Sequence, residues 1–158
     1  MVRGIGAAVL AAGIACAQPA AQQQQPERVE VSAKDSFNGQ SFAYMRLLRE
    51  RNHRHELFDV TYPSPVTTAY EPNNTVPAEL YLPLGMSRDR AFPAVVCMHI
   101  FHGSFDLERM LCARLAQNGV PALFFKQPYY AERGGAEGKA RLVSDAEIFV
   151  RGLEQGLQ

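Results

Sequence analysis

Apolar and polar positions change period along the chain, and each change marks an element. Residues 55–62 (HELFDVTY) place Phe58, Val60 and Tyr62 on one face, and residues 76–82 (VPAELYL) do the same with Val76, Ala78, Leu80 and Leu82. Alternation of period two predicts two half-buried strands, separated by a loop that Pro63, Pro65, Pro72, Asn73 and Asn74 keep out of either. The run 93–100 (PAVVCMHI) is instead continuously apolar and β-branched. That is the pattern of a central parallel strand covered on both faces. From Asp106 to Asn118 the period becomes helical, with Leu107, Met110, Leu111, Leu115 and Ala116 on one face and Asn118-Gly119 as a left-handed stop. Residues 120–125 (VPALFF) form the next buried strand, so strand, helix and strand make a βαβ unit.

Flanking segments are weaker in pattern. Ser41 to Arg51 sets Phe42, Met45 and Leu48 three apart, which predicts a short amphipathic helix capping the domain, with Ser41 as its N-cap. Ser144-Asp145-Ala146-Glu147 has the form of a capping box, opening a helix with Ile148, Phe149, Leu153 and Leu157 as its apolar stripe. The chain reaches Gln158 inside that helix, with no C-cap. At the other end, residues 1–17 read as a secretory signal: Arg3, an apolar stretch from Ile5 to Ile14 too short to span a bilayer, and Ala15-Cys16-Ala17 for cleavage. A lipoprotein signal with Cys16 as the lipidated residue is the minority alternative. Residues 18–26, with Gln22 to Gln25 and Pro26, form a polar tether. The expected location is therefore periplasmic or extracellular, with no transmembrane segment after signal removal.

Composition narrows the function. Of 158 residues, 47% are hydrophobic, and 16 Lys+Arg balance 16 Asp+Glu. A single globular domain without a basic field excludes nucleic acid as a natural partner. The 3 cysteines are too few for a disulfide framework, and Cys97 and Cys112 read as small buried hydrophobes on a strand and a helix.

In an open parallel sheet, ligands bind beyond the carboxyl ends of the strands, where 93–100 runs into FHGSFD and VPALFF runs into KQPYYAERGG. The run VVCMHIFHGSFDLERMLCARLAQNGVPALFFKQPYYAERGG, after the hairpin containing VTYPSP and NNTVPAELYLP, resembles the N-terminal half of α/β-hydrolases. The likeness is to secreted bacterial esterases of the dienelactone hydrolase and acetyl-xylan esterase branch, over residues 55–158. It implies an antiparallel hairpin followed by βαβ, with 27–158 a partial α/β-hydrolase domain. It also implies that the loop after the third strand donates one backbone N–H to an oxyanion hole. In the favoured register the donor is Ile100 or Phe101, with His99, His102 and Gly103 shaping the loop. In the other register it is Ser104 or Phe105. Tyr129, Tyr130 and Arg133 would border the substrate, a small-molecule or polysaccharide-linked ester. No metal or organic cofactor is required by this chemistry.

The departure from the family is equally specific. No G-x-S-x-G elbow stands in a strand-turn-helix setting, and no Asp and His follow one in order. The expectation is a chain that stops before the nucleophile and both triad partners. Gly39-Gln40-Ser41-Phe42-Ala43 precedes the sheet, and Ser104 reads as a helix cap rather than a nucleophile. His53-x-His55-Glu56 lacks a third ligand at metal-site spacing. Lys126 and Glu132 are charges that would pair with neighbours. Two other classes stay open: a non-catalytic exported binding or assembly protein built on the half sheet, and a zinc hydrolase using His99 and His102.

Overall fold

The computed structural model describes residues 25–32, 34, 39–87, 91–99 and 104–157. The signal segment, Cys16, most of the tether, and Ile100, Phe101, His102 and Gly103 lie outside them. The described residues form a mixed α/β domain with six strands in one sheet and three α-helices. In chain order these are β1 (Glu27–Val31), β2 (Phe42–Arg51), β3 (His55–Pro63), β4 (Thr75–Pro83), β5 (Val95–Met98), α1 (Asp106–Gln117), β6 (Ala122–Phe125), α2 (Gly138–Ser144) and α3 (Ala146–Leu157).

The strand order is β1-β2-β3-β4-β6-β5. β1 to β4 form an antiparallel meander, and β6 joins β4 antiparallel through Ala78 opposite Phe125 and Tyr81 opposite Ala122. β5 then pairs parallel to β6, with Cys97 opposite Phe124. α1 makes the crossover between this parallel pair, the βαβ unit that the periodicity predicts. Gly119, at φ 85°, supplies the left-handed stop expected after α1.

Alternation divides the sheet into two faces. Leu57, Tyr81, Cys97, Ala122 and Phe124 pack against Cys112 and Ala116 of α1. On the other face, Phe58, Val60 and Ala78 pack with Tyr44, Leu48, Leu80, Leu123 and Phe125.

Five expectations need correction. Residues 42–51 are strand β2, not a helix, and Ser41 caps nothing. Hydrogen bonding to β1 on one side and β3 on the other outweighs the three-residue spacing, which includes a register shift between Leu48 and Glu50. The strand read as central, 93–100, is the shorter β5 at the sheet's edge among the described residues, with Val96 62% and Met98 48% exposed. α1 buries Cys112 and Ala116, while Leu107, Met110 and Leu111 face solvent. The capping box at Ser144 does not form, because Ser144 closes α2 and its Oγ donates to the Arg141 carbonyl at 2.8 Å. Asp145 caps α3 instead, its carboxylate accepting the Glu147 N–H at 2.7 Å. α3 packs through Gly152 and Gln155 and leaves Phe149, Val150 and Leu153 exposed.

One buried ion cluster joins α1 to the sheet. Glu79, on the α1 face of β4, is wholly buried. Its carboxylate accepts from Arg109 Nη2 of α1 at 2.8 Å, Tyr81 Oη at 2.9 Å and Lys126 Nζ at 3.3 Å. Burial alone would raise its pKa, but the bonds from Arg109 and Tyr81 and the Lys126 charge outweigh that and lower it to about 2.

Because the folded carboxyl titrates below its ordinary value of 4.5, it stabilises the fold above that pH. This contribution declines as pH falls from there and is gone once pH drops through about 2. Glu79→Ala, which leaves buried Lys126 with only the exposed Glu132 at 3.6 Å, is expected to cost about 3–5 kcal/mol in urea unfolding. Glu79→Gln should flatten the acid limb of the stability profile; an unchanged limb would assign it to other carboxylates.

Candidate functional site

The carboxyl ends of β5 and β6 lie side by side because the two strands are parallel neighbours. Each runs into a loop, and the loops are tied together at His99, just beyond β5. The His99 ring is 2% exposed. Its Nε2 accepts the Gln127 backbone N–H at 3.1 Å, and the Gln127 side-chain amide donates back to the His99 carbonyl at 2.5 Å. An Nε2 that accepts carries no proton, so the neutral ring is the Nδ1–H tautomer. The ring also meets Phe105 at 4.8 Å and Tyr130 at 4.6 Å between centroids. His99 therefore joins the entry to α1 and the loop after β6 into one unit.

Backbone strain concentrates in the same place. Phe105 (φ 67°), Tyr129 (φ 65°) and Ala131 (φ 46°) are the non-glycine residues in the left-handed region among those described. All three belong to the two loops joined by His99. Such conformations persist only where the surroundings over-determine them, and they cluster at functional sites.

A buried polar network holds the loop after β6 from beneath. Asn73, fully buried beside the start of β4, accepts the Tyr129 N–H through Oδ1 at 3.2 Å and donates to Gln155 of α3 at 2.7 Å. Gln155 in turn donates to Ser64 Oγ at 2.8 Å and the Val66 carbonyl at 3.1 Å. Arg133, 1% exposed, donates to the Lys126 carbonyl at 3.1 Å and the Asn73 carbonyl at 2.9 Å. Its Nε meets no acceptor among the described residues. Desolvation lowers the Arg133 pKa to about 10, with Tyr62 and Tyr129 acting in the opposite direction. The guanidinium still stays charged at neutral pH.

Two hollows border this region. One, of about 620 Å³, lies between residues 66–69, Tyr129 and the Ile148–Gln155 face of α3. The other, of about 440 Å³, is lined by Tyr62, Val76, Val96, Met98, Phe125 and Arg133, among others.

The sequence-predicted residues divide accordingly. His99 and Tyr130 are in contact, and Tyr129 stacks on Tyr70 at 5.7 Å while edging the larger hollow. Arg133 points inward as a brace and lines the smaller hollow. Ile100, Phe101, His102 and Gly103 lie outside the described residues. Ser104 is not the α1 cap: Phe105 holds that position, and Ser104 Oγ donates to the Asp106 carboxylate. Lys126 pairs with Glu79 and, at 3.6 Å, with Glu132. His55 is buried against Tyr81, and no group of three or more His, Cys, Asp or Glu able to hold a metal occurs among the described residues. No helix among them is long and apolar enough to cross a membrane. Asn73, Gln127 and Gln155 carry no sequence signal beyond turn or surface chemistry.

The chain matches no protein-family model, no curated protein and no solved structure.

Asn73→Ala should destabilise the fold by about 2–3 kcal/mol, since it orphans the Tyr129 N–H and the Gln155 Oε1 acceptor. Faster amide exchange should then be concentrated at 127–134. His99→Ala is expected to expose the Gln127 amide to exchange while the β3–β4 amides keep their protection. Equal loss across the sheet would mean that His99 does not act as a local tie.

Proposed function

We propose that this domain is the N-terminal half of an exported serine-type α/β-hydrolase acting on carboxylic esters. It would supply the oxyanion-hole loop and part of the substrate pocket. The observation that carries the reading is the coincidence of backbone strain and the His99 tie in the two loops that follow a parallel pair of strands, where an open α/β sheet binds ligands, with Tyr129 and Arg133 of the second loop each reaching the wall of a hollow.

Supporting it is the order of elements that the resemblance implies, an antiparallel hairpin (β3, β4) followed by βαβ (β5, α1, β6). The exposed apolar residues Val96 and Met98 of β5 and Leu107, Met110 and Leu111 of α1 suit an element covered by further strands and helices rather than one facing water. In this reading the nucleophile strand pairs with β5, the edge strand among the described residues.

The chemical contribution is electrostatic. An N–H from Ile100 or Phe101 would meet the oxyanion of the tetrahedral intermediate, reinforced by the positive end of α1, which begins at Asp106. One such donor contributes about 3 kcal/mol to the transition state. The nucleophile, its base and the orienting carboxylate belong to the completing part. Tyr129 would border the bound ester, with Arg133 and Asn73 fixing its loop.

The test is the coding sequence following codon 158, joined to this chain and assayed on p-nitrophenyl acetate. A strand ending in G-x-S-x-G followed by Asp and His, with turnover blocked by a serine-reactive phosphonate, is the expected result. The 158-residue chain alone should give no turnover. A genuine stop, with a soluble chain that melts cooperatively, would overturn the esterase reading and favour an exported binding or assembly module.

A further inference from the structure

Three aromatic rings surround His99. Tyr130 lies at 4.6 Å, Phe105 at 4.8 Å and Phe124 at 6.4 Å between centroids. Each of those rings has a cation over it: Lys139 at 5.4 Å from Tyr130, Arg109 at 5.8 Å from Phe105 and Lys126 at 5.7 Å from Phe124. The carboxylates beside these cations are already engaged, Glu79 with Arg109 and Lys126, Glu132 with Lys126, and Asp106 with Ser104. The peptide group that meets His99 is polarised in the same sense. Its carbonyl, that of Lys126, accepts from Arg133 at 3.1 Å, and its N–H, that of Gln127, donates to His99 Nε2 at 3.1 Å. That second bond exists only while Nε2 carries no proton.

We propose that His99 is an acid-released latch: a proton on Nε2 sets donor against donor among cations, and the entry to α1 and the loop after β6 part while the sheet stays folded. The inference stands on this hydrogen bond and the charges around it, and not on the esterase reading. The ring freed in the opened form charges at about pH 6.5. The closed form keeps the ring neutral, so the latch holds fully above that pH and weakens below it. The ratio of closed to open should fall about tenfold for each unit of pH below about 6.5, until the closed ring itself charges. This window lies above that of Glu79, whose carboxyl has an ordinary value of 4.5.

The test is amide exchange of the whole chain by NMR from about pH 7.5 to about pH 5, as protection relative to an unstructured chain, with isotope-labelled imidazoles read in the same samples. Gln127 protection should fall about tenfold per unit below about pH 6.5, in step with the loss of one Nδ1–H imidazole signal, while the β3–β4 amides keep theirs. His99→Gln, whose Oε1 can accept the same N–H without titrating, should remove that signal and leave Gln127 protection level across the range. A level profile in the unaltered chain would overturn the latch, and so would an equal fall in His99→Gln. A fall shared by the β3–β4 amides would overturn it too, transferring the effect to the sheet and to His55, buried at the start of β3. If His99→Gln does not fold, the imidazole in contact with the Gln127 amide decides alone: charging of that ring with Gln127 protection unchanged rules the latch out, and charging in step with its loss supports it.

Discussion

The fold turns on a carboxylate buried among cations. Glu79 occupies a position on the α1 face of β4 that alternation reserves for an apolar side chain. It is kept ionised there because Arg109, Lys126 and Tyr81 converge on it, with Arg49 a further cation at 3.6 Å. Arg109 comes from α1 and Lys126 from the end of β6, so one anion sets how the helix lies on the sheet and where the β6 loop departs. An apolar residue would fill the same volume but would not fix the rotation of α1, since most of that helix's leucines do not pack on the sheet. The ion cluster supplies a registration that the hydrophobic contacts leave loose.

From that anchor the geometry of the loops follows. Lys126 is immediately followed by Gln127, which is bound in both directions to His99. Further along, Arg133 reaches back to the Lys126 carbonyl and to Asn73. Ion pair, backbone bond and buried amide thus form one chain from the centre of the sheet to the rim of the hollows. The strained residues Phe105, Tyr129 and Ala131 sit along it because their surroundings are fixed from several directions.

Much of this architecture was legible in the sequence. β3 and β4 follow from period and β6 from its apolar run, while for α1 the period predicts the helix but not the face it buries, which is Cys112 and Ala116. The spacing of Phe42, Met45 and Leu48 suits a helix, and the strand state of β2 is decided by pairing with β1 and β3, which the spacing does not show. β5 was legible as a strand, but its edge position was not, since an apolar run states what a strand is suited to meet and not what lies beside it. At the site, the PYYAER loop and His99 were visible as unusual residues. Their roles were not, because Asn73 acts from more than fifty residues earlier in the chain and Gln155 from another helix, and ordinary amides carry no mark of burial.

The carbonyl of Tyr129 is held between Gly134 and Gly138, where an added Cβ would come within 2.1 and 2.4 Å of it. Any side chain at either glycine would collide with backbone rather than with a movable group. This loop therefore has no gradual route of variation: its shape is inherited whole or lost. Divergence in what the larger hollow admits would have to come from its opposite lip, residues 66–69, which is held by side-chain amides, Gln155 at the Val66 carbonyl and Asn74 at Thr68, rather than by packed backbone.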